Sequence, residues 1–387
     1  MANPIVITVP DDYLLIQEAI DHSRSGDTVF VKSGIYKENI VVTKNDLRIV
    51  GENSETTVID GNGTSNVIYV PVRNVEVSNF TILNSGHNLT DSGIHLNNSL
   101  NTYLSNNKVC NNNLGIYISS SSNCKLRNNK LTANDYNFGV SALILQEFLH
   151  DIDSSNVIDG KPVVYWINEA NRQTPPNAGY VAVINSTKIT VENLQLSKNW
   201  QAILFAYTNN SEIKNITLTS NMDAMWLIEC SNISVYEDNI EENNWGGIAI
   251  VNSYFCKFQG NNLTNNKGYG IFLSDSSNNI FYNNNINNTN QVWLFGVNHN
   301  NWDAGKQMGG NYWSDYKGDD NDGDGIGDAQ YFISSTNNDY YPLMQPYILP
   351  SEAASRNIVV YIFAGLGTIV SVAMIFTIIL KHKKRRV

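Results

Sequence analysis

Val191-Glu-Asn-Leu-Gln-Leu196, Ile213-Lys-Asn-Ile-Thr-Leu218, Phe258-Gln-Gly-Asn-Asn-Leu263 and Phe281-Tyr-Asn-Asn-Asn-Ile286 are four copies of one phrase. With Val235 between the second and third, their first residues step by 22, 22, 23 and 23, and a second apolar run opens each unit at Ala202, Ala224, Gly247 and Gly270. A fixed period of this length means stacked identical units. Within a unit the apolar residues alternate over four to six positions and are split by Asn, Ser and Gly, the pattern of short strands and polar turns. Strands that return to the same phase at each repeat stack in parallel register, one coil above the last at roughly 4.8 Å. The predicted fold is an all-β, right-handed parallel β-helix.

The asparagines follow from the stack. In the column Asn79, Asn106, Asn128, Asn193, Asn215, Glu237, Gly260, Asn283, Asn recurs at a bend, where its side chain tolerates left-handed geometry and can bond the copies above and below. Apolar residues that keep step over so many repeats exclude a disordered Asn- and Ser-rich chain.

The 387 residues are 42% hydrophobic and carry a net charge of −11. A solenoid buries such a core as a long cylinder, so one elongated domain is expected. The acidic balance argues against nucleic acid, which demands clustered Lys and Arg. Cys110, Cys124, Cys230 and Cys256 fall at different phases of the repeat and read as buried thiols rather than a disulfide frame or a metal site.

At the start, Pro10-Asp-Asp-Tyr-Leu-Leu-Ile-Gln-Glu-Ala-Ile20 offers an N-cap aspartate and apolar residues at helical spacing, closed by Gly26. A short amphipathic helix here would cover the open end of the first coil. The order Ile16-Gln-Glu-Ala-Ile20, Gly26-Asp-Thr-Val29, Gly34-Ile-Tyr36, Glu38-Asn-Ile40, Ile49-Val-Gly-Glu52 and Ile59-Asp-Gly61 resembles the opening of pectate-lyase-type right-handed β-helix proteins. With the Asn-rich coils that follow, it is most similar to the NosD-like family, named for a periplasmic copper-binding maturation factor and built of carbohydrate-binding and sugar-hydrolase (CASH) repeats. The resemblance spans about residues 5 to 345, and Gly310 to Tyr316 through Tyr340 to Leu343 resembles the ending of archaeal, membrane-anchored members. It implies the fold; the family shares coils rather than a catalytic signature.

Residues 1–60 form the cap and first coils, 61–300 the β-helix, and 301–347 a C-terminal cap. The stretch 142–178 lacks the Asn column and reads as distorted coils with a protruding loop or hairpin, a place where specificity can reside. In the opening strands, Ile203, Met225, Ile248 and Ile271 face inward with Phe205, Leu227, Ile250 and Leu273, so the residue between them faces outward. That outward row, His95, Tyr117, Leu204, Trp226, Ala249, Phe272, Leu294, is apolar enough to demand either a cover, which 142–178 would supply, or a ligand. His95, Tyr117, Trp226 and Phe272 are the candidate carbohydrate-binding residues, aromatic faces able to stack on sugar rings. Beside them lies the column Tyr207, Glu229, Asn252, Asp275. Glu229 and Asp275 stand two coils, roughly 9.6 Å, apart, near the upper limit for an inverting glycosidase. They are the weak catalytic candidates, without the Arg or Lys column a lyase needs as base.

Copper has little support in the residues, since His22, His87, His95, His150 and His299 are scattered and no Cys-x-x-Cys or His-x-His occurs. Calcium has more. Asp320-Asn-Asp-Gly-Asp-Gly-Ile-Gly-Asp328 places Asp320, Asp322, Asp324 and Asp328 at ligand positions 1, 3, 5 and 9, with the Ile326 carbonyl at position 7 and Gly325 at the sharp turn. Tyr331 replaces the bidentate Glu of an EF-hand, and Asp319 or Asp339 is a candidate to complete a structural Ca2+ site closing the C-terminal end.

Residues 348–357 read as a linker, and Ile358 to Leu380 as 23 uncharged residues able to span a bilayer as a transmembrane helix. The basic tail 381–387 belongs in the cytoplasm, which puts the bulk of the chain outside. That topology requires an export signal, which residues 1–10 do not show; either the N-terminus has been trimmed or the domain is tail-anchored and faces the cytosol, and the Asn-x-Ser/Thr sequons that begin at Asn62 favour the first. The expectation is a membrane-anchored, extracytoplasmic β-helix that binds carbohydrate or another surface polymer. The alternatives are a glycoside hydrolase or polysaccharide lyase on the same face, and an adhesive surface protein that binds other proteins.

Overall fold

The computed structural model describes residues 3–348. The predicted span 358–380 and the tail 381–387 lie outside the described residues, and among those described no helix is long and apolar enough to cross a membrane. The chain winds as a parallel β-helix. Ile7, Val29, Ile49, Val77, Leu104 and Leu126 stack in one column through successive parallel pairings, and all are buried. Each aliphatic side chain in such a column contributes roughly 1.5–3 kcal/mol by leaving water.

The N-terminal helix is Ile16–His22, with Ile16, Ala19 and Ile20 buried against the first coils. Its cap is not the expected aspartate. Asp12 accepts the Thr8 N–H within its own turn at 2.7 Å, while the N–H groups of Ile16 and Gln17 both donate to the Glu38 carboxylate at 2.9 Å. A carboxylate from the next coil thus meets the positive end of the helix, and Leu15 is left on the outside.

The bend column is as the sequence suggests: Asn79, Asn106, Asn128, Asn193, Asn215, Glu237, Gly260 and Asn283 all have positive φ. The hydrogen-bonded ladder, however, belongs chiefly to the residue after each bend. Asn107, Asn129, Asp238, Asn261 and Asn284 are fully buried. Asn261 sends its backbone N–H and its Nδ2 to the Oδ1 of Asn284, and Nδ2 also to the Val235 carbonyl. One asparagine makes the turn, and its neighbour ties three coils together.

The stretch 142–178 is more than a protrusion. Val157–Ile158 pairs antiparallel with Lys161–Ile167 through a tight turn at Asp159 and Gly160, both with positive φ. Strand direction therefore reverses inside one thirteen-stranded sheet that runs on to Val292–Phe295. To keep winding with the same hand, the later coils must enclose the opposite face of that shared sheet. Burial shows this swap. Val181, Val183, Ile203 and Phe205 belong to the core of the later coils, whereas Ala182, Ile184, Leu204 and Ala206 pack into the core of the earlier ones with Phe138 and Phe148. The protein has two offset windings that share a sheet, rather than one uninterrupted cylinder.

Candidate functional site

Past the joint, the outer face of the shared sheet emerges from under the earlier winding. The row Leu204, Trp226, Ala249, Phe272 is paired in register and continues to Trp293. Leu294, the residue the repeat suggests, is displaced because the last unit is one or two residues shorter than those before it. Leu204 is covered, Trp226 and Phe272 are half-buried, and Trp293 is 47% exposed. Trp226, Phe272 and Trp293, together with Trp245, Tyr269 and Phe295, line a groove of about 520 Å3, walled by Ser141, Ala142 and Leu143 at the end of the last strand of the earlier winding. Leu143 is 83% exposed. The rings are mutually oriented: Phe272 meets Trp293 at 5.9 Å and 78°, and Tyr269 meets Trp293 at 6.3 Å and 74°, edge-to-face arrangements that fix the platform.

The groove's one buried charge is Asp223, 5% exposed. Trp226 Nε1 donates to its Oδ2 and the Tyr269 hydroxyl to its Oδ1, both at 2.9 Å. Burial pushes this carboxyl up to about 6, against the pull of those two donors. Gly246 makes the pair possible, since a Cβ there would stand 2.1 Å from the Tyr269 ring and 2.5 Å from the Asp223 carboxyl. Sequence reasoning passed over Asp223, Tyr269, Trp245 and Trp293. The available signal was the column Gln201, Asp223, Gly246, Tyr269, in which a glycine sits between a carboxylate and a phenol.

The structure brings Trp226 and Phe272 into the groove but not His95 and Tyr117. Those two lie on the separate five-stranded sheet of the earlier winding, each 7% exposed. They form an aromatic stack from Tyr69 through His95 and Tyr117 to Trp200. His95 Nε2 meets Ser119 Oγ at 2.9 Å, and burial lowers its pKa to about 4, so the ring is neutral. The row that reads as continuous in sequence is two rows that meet at Trp200.

Tyr207, Glu229, Asn252 and Asp275 do form a column, and all four have positive φ. Glu229 accepts from Asn252 Nδ2 at 3.0 Å, and Asp275 accepts the Val297 N–H at 2.9 Å, so both carboxylates brace turns. Glu229 also reaches the groove. It lies six residues beyond Asp223 along one strand line, roughly 20 Å away, well outside the separation of a two-carboxylate glycosidase.

In the C-terminal cap, ligand atoms of Asp320, Asp322 and Asp324 lie within 4.8 Å of one another. Asp320 accepts the N–H groups of Asp324 and Gly325, and Asp324 that of Ile326. Asp328 is turned to Asn321, accepting its N–H at 2.9 Å. Asp339 is buried elsewhere, holding the N–H of Asn311 and Nε1 of Trp313. Lys306 stands beside Asp322 and Asp324 at 3.5 and 3.0 Å. Among the described residues this is the group of three or more potential ligands that converges. All-carboxylate oxygen suits a hard divalent cation and does not fit copper, which favours sulfur and imidazole.

The family described as "Periplasmic copper-binding protein (NosD)" matches residues 20–148 and 151–318. A relative from Pseudomonas aeruginosa, described as "Probable ABC transporter binding protein NosD", is 40% identical over 86 residues, 22% of this chain and 19% of the relative. The match thus spans about a fifth of that relative's length. Among solved structures, an alginate lyase from Paenibacillus sp. str. FPU-7 aligns with TM-score 0.35 and 13% identity over 77% of this chain and 99% of that one. A DFA-IIIase from Arthrobacter chlorophenolicus A6 aligns with TM-score 0.36 and 12% identity over 77% and 88%.

Proposed function

Since the chain belongs to the NosD family, we propose that it is an extracytoplasmic β-helix protein which binds carbohydrate or another surface polymer in the aromatic groove beside the joint. The observation that carries this reading is the groove itself: four aromatic side chains, Trp226, Trp245, Phe272 and Trp293, left partly or largely uncovered along one flank. An apolar face of this kind on a secreted scaffold calls for a ligand, and ring faces held by edge-to-face packing suit stacking on sugar rings. The apolar run 358–380 is proposed as its membrane anchor, and the loop Asp320–Asp328 as a structural Ca2+ site that firms the C-terminal cap.

The test is a glycan array with the full-length chain, followed by Trp226→Ala and Trp293→Ala. Each variant is expected to weaken a bound glycan by about 1–3 kcal/mol, roughly five- to 150-fold. Binding that survives the loss of both rings would remove the groove from the account. Release of a cleaved product from any bound glycan would favour the enzymatic alternative.

A further inference from the structure

We propose that the groove recognises a ligand carrying a free ammonium group, an amino-sugar glycan, with Asp223 as its counter-ion and the surrounding indole and phenyl faces as its walls. The proposal rests on the carbohydrate reading above and narrows it to a class. Among the described residues, the lining of the groove carries two carboxyl groups, Asp223 and Glu229, and no Lys, Arg or His. A polymer of uronic acids would therefore meet like charge and no cationic partner. A neutral sugar would find ring faces, yet would leave the buried carboxyl, hydrogen-bonded by Trp226 and Tyr269, without a counter-charge.

The carboxyl is built for a cation. Trp226, on the same strand as Asp223, and Tyr269, two strands further along the sheet, hold its two oxygens in place, so both donors already favour its ionised form, and what opposes ionisation is desolvation. An arriving ammonium group supplies the missing charge. It would also lie against Trp226 and its aromatic neighbours, where cation–π attraction adds to the ion pair in a poorly hydrated site. The other titratable groups near Asp223 do not supply that charge. Tyr136 and Tyr269 are phenols held above their ordinary range by burial. Lys198, Lys267 and Asp135 line a separate cleft beyond Trp245, and Lys267 donates there to Asn244.

The test compares a glucosamine tetramer with the N-acetylglucosamine tetramer on the full-length chain by calorimetry, slightly below neutral pH. The amine form is expected to bind about tenfold or more tightly than the acetylated form. Asp223→Asn, nearly isosteric and still able to accept one of the two donors, is expected to bring the two affinities to parity. Glu18→Gln, an exposed carboxylate of the N-terminal helix that is no part of the groove's lining, is expected to leave the preference unchanged. Equal binding of both tetramers by the unaltered chain, with both weakened by Trp226→Ala, would overturn the ammonium proposal and leave the groove standing. Binding of neither would remove groove and proposal together. An unchanged preference in a folded Asp223→Asn variant would also overturn the assignment of Asp223.

Discussion

Asp238 occupies a rung built for asparagine. Its neighbours Asn261 and Asn284 each use Oδ1 to accept a backbone N–H from one adjacent coil and Nδ2 to donate to a carbonyl and to the next rung. Asp238 keeps the first half of this arrangement, accepting the Ile216 N–H at 3.0 Å. Its Oδ2, however, stands where the rungs carry a donor, and it is buried without a partner. Burial moves the carboxyl well above its ordinary range, and a proton on Oδ2 restores the missing donor. Because the folded pKa is raised, this group's contribution is full below about 4 and is lost as pH rises toward the folded value. Asp238→Asn is therefore expected to match the parent near pH 4 and to exceed it by about 1–3 kcal/mol at pH 8. Chemical denaturation at the two pH values checks this, and a pH-independent difference would contradict it. The column of bends was legible in the sequence because left-handed geometry selects Asn and Gly. The division of labour with the next residue was not, since Asn at either position looks alike in one dimension.

At the scale of the element, repeats were easier to read than what interrupts them. A period of 22 or 23 residues fixes strand phase, and the pairings Ile203 with Met225 with Ile248 with Ile271 follow it. The hairpin at Asp159–Gly160 carried a turn signal, but the reversal of strand direction through a shared sheet has no signature in hydrophobic spacing, because both faces of those strands are apolar. Val181 and Ala182 illustrate the point, being fully buried on opposite sides. For the same reason His95 and Tyr117 read in sequence as one row with Trp226, though a different sheet holds them. The Asp320–Asp328 loop is an element whose stability is expected to depend on its proposed ion. Three carboxylates within 4.8 Å repel one another, and Lys306 offsets that repulsion from an exposed position where such pairs contribute little. Millimolar Ca2+ is expected to raise the thermal midpoint, by RT ln(1 + [L]/Kd) in free energy or about 1–3 kcal/mol. Asp324→Asn should abolish the response. A midpoint indifferent to Ca2+ and to chelator would leave the loop a solvated turn.

For the whole molecule the decisive contact is the joint, because it both covers the start of the outer row and walls the groove. The strand Tyr136–Ser141 ends its own sheet and is met edge-on by the later winding: the Asn137 N–H donates to the Lys198 carbonyl at 2.6 Å, that of Trp200 to Phe138 at 3.0 Å, and Gln201 Nε2 to Val140 at 2.6 Å. Gly139 permits this approach. A Cβ there would stand 2.4 Å from the Trp200 Cβ, an atom too close to the backbone to swing aside. Gly139→Ala must therefore push the windings apart at a cost of about 1–3 kcal/mol. The coils on either side remain tied by their own ladders, since each unit contacts chiefly its neighbours. The variant is thus expected to stay folded while amide exchange in Gln201–Ala206 accelerates by about tenfold or more and exchange in Lys257–Gln259, remote from the joint, is unchanged. Ligand binding should weaken in parallel, because Ser141 to Leu143 move with the strand. Uniform acceleration in both segments would mean that the windings unfold as one unit and that the joint has no separate role in shaping the groove.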